Sequence, residues 1–134
     1  MKKQTRRSFV ATAVTAGTIS AASAFSQVTH EKKQLVHHVF FWLINKDSKE
    51  DLDALIGGLK SLKQIAQLRI AKIGVPASTE KRDVIDDSYS VSWLNIFDDA
   101  KAQQEYQVHP VHLKFVETCK HLWEKVVVYD SQDI

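Results

Sequence analysis

The sequence predicts one α+β domain with four strands and three helices, in the order strand, helix, strand, strand, two helices, strand. Three observations carry this. Leu35 to Ile44 is rich in Val, Phe, Trp and Leu and is apolar on both alternating faces, the pattern of a strand covered on both sides. Leu52, Leu55, Ile56, Leu59, Leu62 and Ile65 recur at helical spacing. Ser88 to Phe97 reads as a second clear strand, with Tyr89, Val91, Trp93 and Phe97 on one face.

The elements follow in chain order. On the first strand Leu35, His37, Val39, Phe41 and Leu43 share one face; Val36, His38, Phe40, Trp42 and Ile44 share the other. Ser48 can cap the first helix, with Asp51 three residues on as a shortened capping box. Gly57-Gly58 lies in mid-helix, where each Gly costs roughly 1 kcal/mol relative to Ala unless it allows a close approach to another element. Leu68 to Gly74 alternates as a short strand, and Val75 to Asp87, polar and with Pro76, reads as a loop. Asp98 or Asp99 can cap a short helix ending near Val108. Pro110 suits the first turn of the next helix, with His109 before it, and Phe115, Val116 and Cys119 then point inward. Lys125 to Asp130 is the last strand. The acidic pairs Asp86-Asp87 and Asp98-Asp99 read as a turn and a cap.

The 134 residues suit one domain, and a chain 44% hydrophobic and 25% charged is globular in composition. The single cysteine, Cys119, excludes an internal disulfide framework and a Cys-rich zinc site. Residues 1–24 hold Lys2, Lys3, Arg6 and Arg7 and no acid. Of the 18 basic residues 14 therefore face 16 acidic ones in the remainder, which is net −2 and not a nucleic-acid surface. The same 24 residues read as an export signal: a positive start, a short weakly apolar stretch from Phe9 to Ile19, and Ala22-Ser23-Ala24 before a cleavage at Phe25. Thr5-Arg6-Arg7-Ser8-Phe9-Val10 resembles the twin-arginine signal, with Ala11 where Lys is common. The expected organisation is residues 1–24 as signal, 25–34 as a flexible lead-in and 35–134 as the folded domain. The implied location is the periplasm or beyond, with the twin-arginine translocase as a transient partner.

The stretch Glu105-Tyr106-Gln107-Val108-His109-Pro110-Val111-His112 is the most informative in the chain. Together with His37-His38-Val39-Phe40-Phe41-Trp42 and Trp123-Glu124-Lys125-Val126-Val127-Val128-Tyr129-Asp130, it resembles the stress-responsive dimeric α/β-barrel (Dabb) family over residues 35 to 130. The resemblance implies a ferredoxin-like βαββαβ subunit with an antiparallel sheet. Two subunits then pack sheet against sheet as a homodimeric barrel, with a pocket between sheet and helices. In an enzymatic member, a plant polyketide cyclase, a Tyr and a His act together in an aldol condensation. Those roles fall on Tyr106 and His112. A further pocket His falls on His38, and Val91 stands where a third pocket His would be.

The side chains support these roles to different degrees. His112 can accept a proton near neutral pH while the Tyr106 phenol orients it or binds an oxyanion; the bland alternative is a Tyr–His hydrogen bond that staples two helices. His109 and His112 are three apart, as metal ligands can be, but His109 sits at a helix start, so a cap is the better reading and no metal or cofactor is expected. His37 and His38 face opposite ways, His38 toward the expected barrel interior and His37 toward the helices or the strand edge. Phe40, Trp42, Tyr89, Val91, Trp93 and Trp123 are the candidate lining of an aromatic ligand pocket, or else they fill the barrel. Cys119 reads as a small buried hydrophobe. Three functions follow: binding of a small apolar or aromatic molecule, lyase, cyclase or monooxygenase catalysis through Tyr106 and His112, or a purely structural stress protein.

Overall fold

The structure, a computed structural model, describes residues 32–134. The signal expected over 1–24, and the lead-in up to residue 31, lie outside the described residues. Strand β1 (Leu35–Leu43) is followed by helix α1 (Lys49–Leu62), strands β2 (Ile70–Gly74) and β3 (Val91–Phe97), helices α2 (Ala100–Gln107) and α3 (Pro110–Cys119), a single 3-10 turn (Lys120–Leu122) and strand β4 (Trp123–Gln132). All neighbours are antiparallel, in the spatial order β2-β3-β1-β4. This is the ferredoxin-like βαββαβ fold, with both crossovers carrying helices to one face of the sheet.

Local chemistry sets the helix ends. The Ser48 hydroxyl accepts the Asp51 N–H, and the Asp99 carboxylate accepts the Ala102 N–H, so each satisfies a first-turn donor that no helical carbonyl can reach. The α2–α3 break is built the same way. Pro110 cannot donate and opens α3, while His109 Nδ1 accepts the Val111 N–H at 3.1 Å. His109 is therefore a helix cap.

Leu55, Leu59, Leu62 and Ile65 of the α1 stripe pack on Phe41, Leu43, Val91, Trp93 and Phe97. Helices α1 and α3 touch closely where Gly58 lies. A Cβ built there would stand 2.6 Å from Cys119 Sγ and 3.0 Å from the Phe115 ring, whereas one on Gly57 meets nothing within 4 Å. Gly58 is thus the contact glycine, and Gly57 carries only the helix cost.

The strand bounds differ from the sequence reading at their ends. β3 begins at Val91, although the Ser90 N–H still bonds the Phe41 carbonyl, and β4 runs two residues further each way than Lys125–Asp130. One grouping also changes. Phe40, Trp42, Val91 and Trp93 do not share a face. The antiparallel register sets Val91 opposite Phe41 and Trp93 opposite Val39, so both join the helix-covered face, and Phe40 and Trp42 stand on the other.

Candidate functional site

A cavity of 170 Å³ lies between the helix-facing side of β1, β3 and β4 and the α2–α3 corner. Phe41, Phe115, Val116, Trp123, Val126 and Val128 form its apolar walls, and His37, Tyr106, Gln107 and His112 form a polar end. Its mouth is at β4. Val126 and Val128 face the helix side by register, yet they are 38% and 43% exposed because the helices stop short of this edge strand.

The helix break creates the polar end. Tyr106 is on the last turn of α2 and His112 on the first turn of α3, and the corner at Val108-His109 turns both rings inward, 4.8 Å apart between centroids. The expected Tyr–His hydrogen bond is not the staple found. Trp93 Nε1–H donates to the Tyr106 hydroxyl at 2.9 Å, tying α2 to β3 across 13 residues of chain, while the Tyr106 and His112 rings pack at a tilt.

Burial pushes the Tyr106 hydroxyl up to about 12, against the pull of the hydrogen bond from Trp93. Tyr106 therefore stays protonated wherever imidazoles titrate. Its oxygen accepts from Trp93, which leaves its O–H free as a donor. Asn95 is fully buried, and among the described residues its amide oxygen and nitrogen have no hydrogen-bond partner; the same holds for His112 Nδ1. A native interior rarely leaves buried polar atoms unpaired, so these atoms mark a place where a water or a ligand would be bound.

His112 is 9% exposed and its pKa lies below the ordinary 6.5, first through burial and then through the His37 and His109 rings, against the Gln107 carbonyl. His38 is lowered too, by partial burial and then by His37. The unfolded chain binds these protons at 6.5 and the folded chain only at lower pH, so acid favours unfolding. Stability is expected to be full above 6.5 and to fall as pH drops from there through the folded values. Urea midpoints taken between about pH 8 and pH 5 should show this decline, and His112→Gln should reduce it. A flat profile in both proteins would contradict the burial of His112.

The sheet register divides the candidate lining residues. Trp93 and Trp123 line the cavity; Val91 is buried in the core behind it. His38, Phe40, Trp42 and Tyr89 stand on the opposite sheet face, where Phe40 packs 4.2 Å from the His38 ring and 4.9 Å from the Tyr89 ring, and Trp42 Nε1–H donates to Ser88. The first-strand histidine in the cavity is His37, because it shares parity with Val39 and Phe41. It is 6% exposed, and its Nδ1 lies 2.6 Å from Asp130 Oδ1 on β4. His37 and Val39 alternate together in the sequence, but pairing with Asp130 needs the β1–β4 register, which no local pattern contains. Asn95, one polar residue between Trp93 and Phe97, was the overlooked signal on β3. Cys119 is buried, burial raises its thiol pKa, and it packs away from the cavity against Gly58. Among the described residues no group of three His, Cys, Asp or Glu could hold a metal ion.

The model of the Stress responsive A/B Barrel Domain (Dabb) matches residues 35–133. The chain belongs to this family. The Dabb fold recurs in solved structures at low identity. The hydroxynitrile lyase from Passiflora edulis is 21% identical, with a TM-score of 0.63 over 77% of this chain and 95% of that one. A Dabb family protein with a ferredoxin-like fold from Mesorhizobium loti is also 21% identical, with a TM-score of 0.62 over 76% and 98%. A dimeric ferredoxin-like protein of unknown function from Thermobifida fusca is 16% identical, with a TM-score of 0.61 over 75% and 92%. No curated protein matches the chain. At these identities the structures share the fold with the Dabb domain described here, and activity is a separate question.

Proposed function

We propose that this Dabb protein is exported and works as a homodimer that binds a small apolar or aromatic molecule in the cavity of each subunit. The observation that carries the ligand reading is the cavity itself, with mainly apolar walls and, at its polar end, His112, whose Nδ1 has no hydrogen-bond partner among the described residues. An apolar cavity of about 150 Å³ holds a benzene ring, so 170 Å³ suits one ring with a short substituent. The half-buried apolar face of Val36, Phe40, Trp42, Leu94, Ile96 and Val127, on the side away from the helices, supports a second copy as its cover, as does the dimeric relative from Thermobifida fusca.

A second reading is lyase- or cyclase-type catalysis. It is favoured by Tyr106 as a held donor beside His112, whose Nδ1 is unpaired, and the Passiflora relative is named a lyase. A structural stress protein would need neither group turned into a cavity.

Native mass spectrometry of protein recovered from its own periplasm tests the proposal. A dimer of chains beginning at Phe25, carrying a retained small ligand or binding single-ring aromatic compounds, is expected. Tyr106→Phe and His112→Gln should weaken that binding by about tenfold, the worth of one buried hydrogen bond of about 1.4 kcal/mol, without breaking the dimer. A monomer with an uncleaved N-terminus and no affinity for any such compound would refute it. Turnover of a bound carbonyl or hydroxyl compound, lost in both variants, would decide for the enzyme reading.

A further inference from the structure

One cavity-lining side chain, His37, makes a contact that neither the core nor the Tyr106–His112 arrangement explains. His37 is buried near the start of β1, and its Nδ1 faces the Asp130 carboxylate at 2.6 Å. A carboxylate can only accept, so Nδ1 carries the proton and Nε2 of the neutral ring is left with its lone pair. Nε2 makes no hydrogen bond among the described residues, and the ring lines the cavity. Asp130 is 52% exposed at the mouth, so its charge stays solvated while its orientation of the ring acts inside. The other polar groups at this end differ in kind. Tyr106 keeps its proton and accepts from Trp93, and His112 Nδ1 has no hydrogen-bond partner among the described residues.

We infer that His37 and Asp130 form the proton-accepting pair of this cavity, and that its ligand is a one-ring compound bearing an acidic hydroxyl. This rests on the pocket reading above. In the bound complex the hydroxyl O–H proton moves to His37 Nε2. The imidazolium so formed is balanced by Asp130, and the ligand oxygen carries the negative charge toward the Tyr106 O–H. Asp130 is a positioning residue, since it reaches the ligand only through His37.

The test compares two probes of nearly the same shape, nitrobenzene and 4-nitrophenol, by titration of the dimeric protein. Wild type is expected to bind both, 4-nitrophenol at least about tenfold more tightly, because a hydrogen bond to a charged group is worth about 1.5–3 kcal/mol. The yellow phenolate band should appear on binding at a pH where the free phenol is colourless. Asp130→Asn should lose the band and the tenfold advantage while binding nitrobenzene as before, since its amide can donate to Nδ1 and reverse the tautomer. His37→Gln should lose the band as well. Retention of the band in Asp130→Asn, or an equal loss for both probes, would overturn the assignment. If wild type binds nitrobenzene but gains nothing from the hydroxyl, the pair fails and the pocket reading stands. If it binds neither probe, the pocket reading fails and this inference with it.

Discussion

Trp93→Ala is expected to lower the unfolding free energy by about 4–6 kcal/mol. Trp93 is 1% exposed and stands at the centre of the sheet's helix-covered face, opposite Val39 on one side and Ile73 on the other. Removing a buried indole costs about 3–5 kcal/mol through lost transfer energy and the cavity left behind. The Tyr106 hydroxyl, itself buried, then loses its donor, which adds about 1 kcal/mol or more. A domain of this size has only about 5–15 kcal/mol in total, so the variant should be marginal at room temperature. Trp93→Phe separates the two contributions. It keeps most of the packing and loses the N–H, and should cost about 1–2 kcal/mol. Urea unfolding at one fixed protein concentration, which holds any dimer linkage constant, measures both. A loss below about 1 kcal/mol for Trp93→Ala would mean that the sheet and α2 are not joined through this residue.

The second large effect is expected on the proposed homodimer. Phe40→Asp should raise the dimer dissociation constant by about a thousandfold or more, because an unpaired carboxylate buried in an apolar interface costs several kcal/mol. Phe40 lies in the middle row of the face away from the helices, between Ser92 and Val127, and touches the rings of His38, Tyr89 and Tyr129. Val39 and Phe41, its chain neighbours, point into the helix-covered core, so the subunit itself should stay folded. Sedimentation at micromolar concentration should show a monomer with an unchanged far-ultraviolet spectrum. A dimer that survives would place the interface elsewhere.

Local chemistry was legible in the sequence. Period and caps gave the order of elements, Ser48 and one of Asp98 and Asp99 as helix starts, and the helix break at Pro110, because each depends on residues within one turn of chain. The family resemblance made Tyr106 and His112 candidates for one site, and their rings pack together across that break. The sequence also separated His37 from His38, since adjacent residues on a strand face opposite ways.

The sequence reading set His38 toward the barrel interior and His37 toward the helices or the strand edge, but which face of β3 meets which face of β1 is not contained in either strand alone. The tertiary structure decided it through register: Val91 lies against Phe41 and Trp93 against Val39, which moved Val91 and Trp93 to the covered side and left Phe40 and Trp42 on the other. The pairing of Trp93 with Tyr106, of His37 with Asp130 and of Gly58 with Cys119 joins residues that are 13, 93 and 61 positions apart. Periodicity describes one element at a time, and such contacts exist only once elements are docked. The sequence thus determined the elements and the residue types available to the site; the docking of sheet and helices decided which of them share a cavity, and so which nitrogen of which histidine is left free to act.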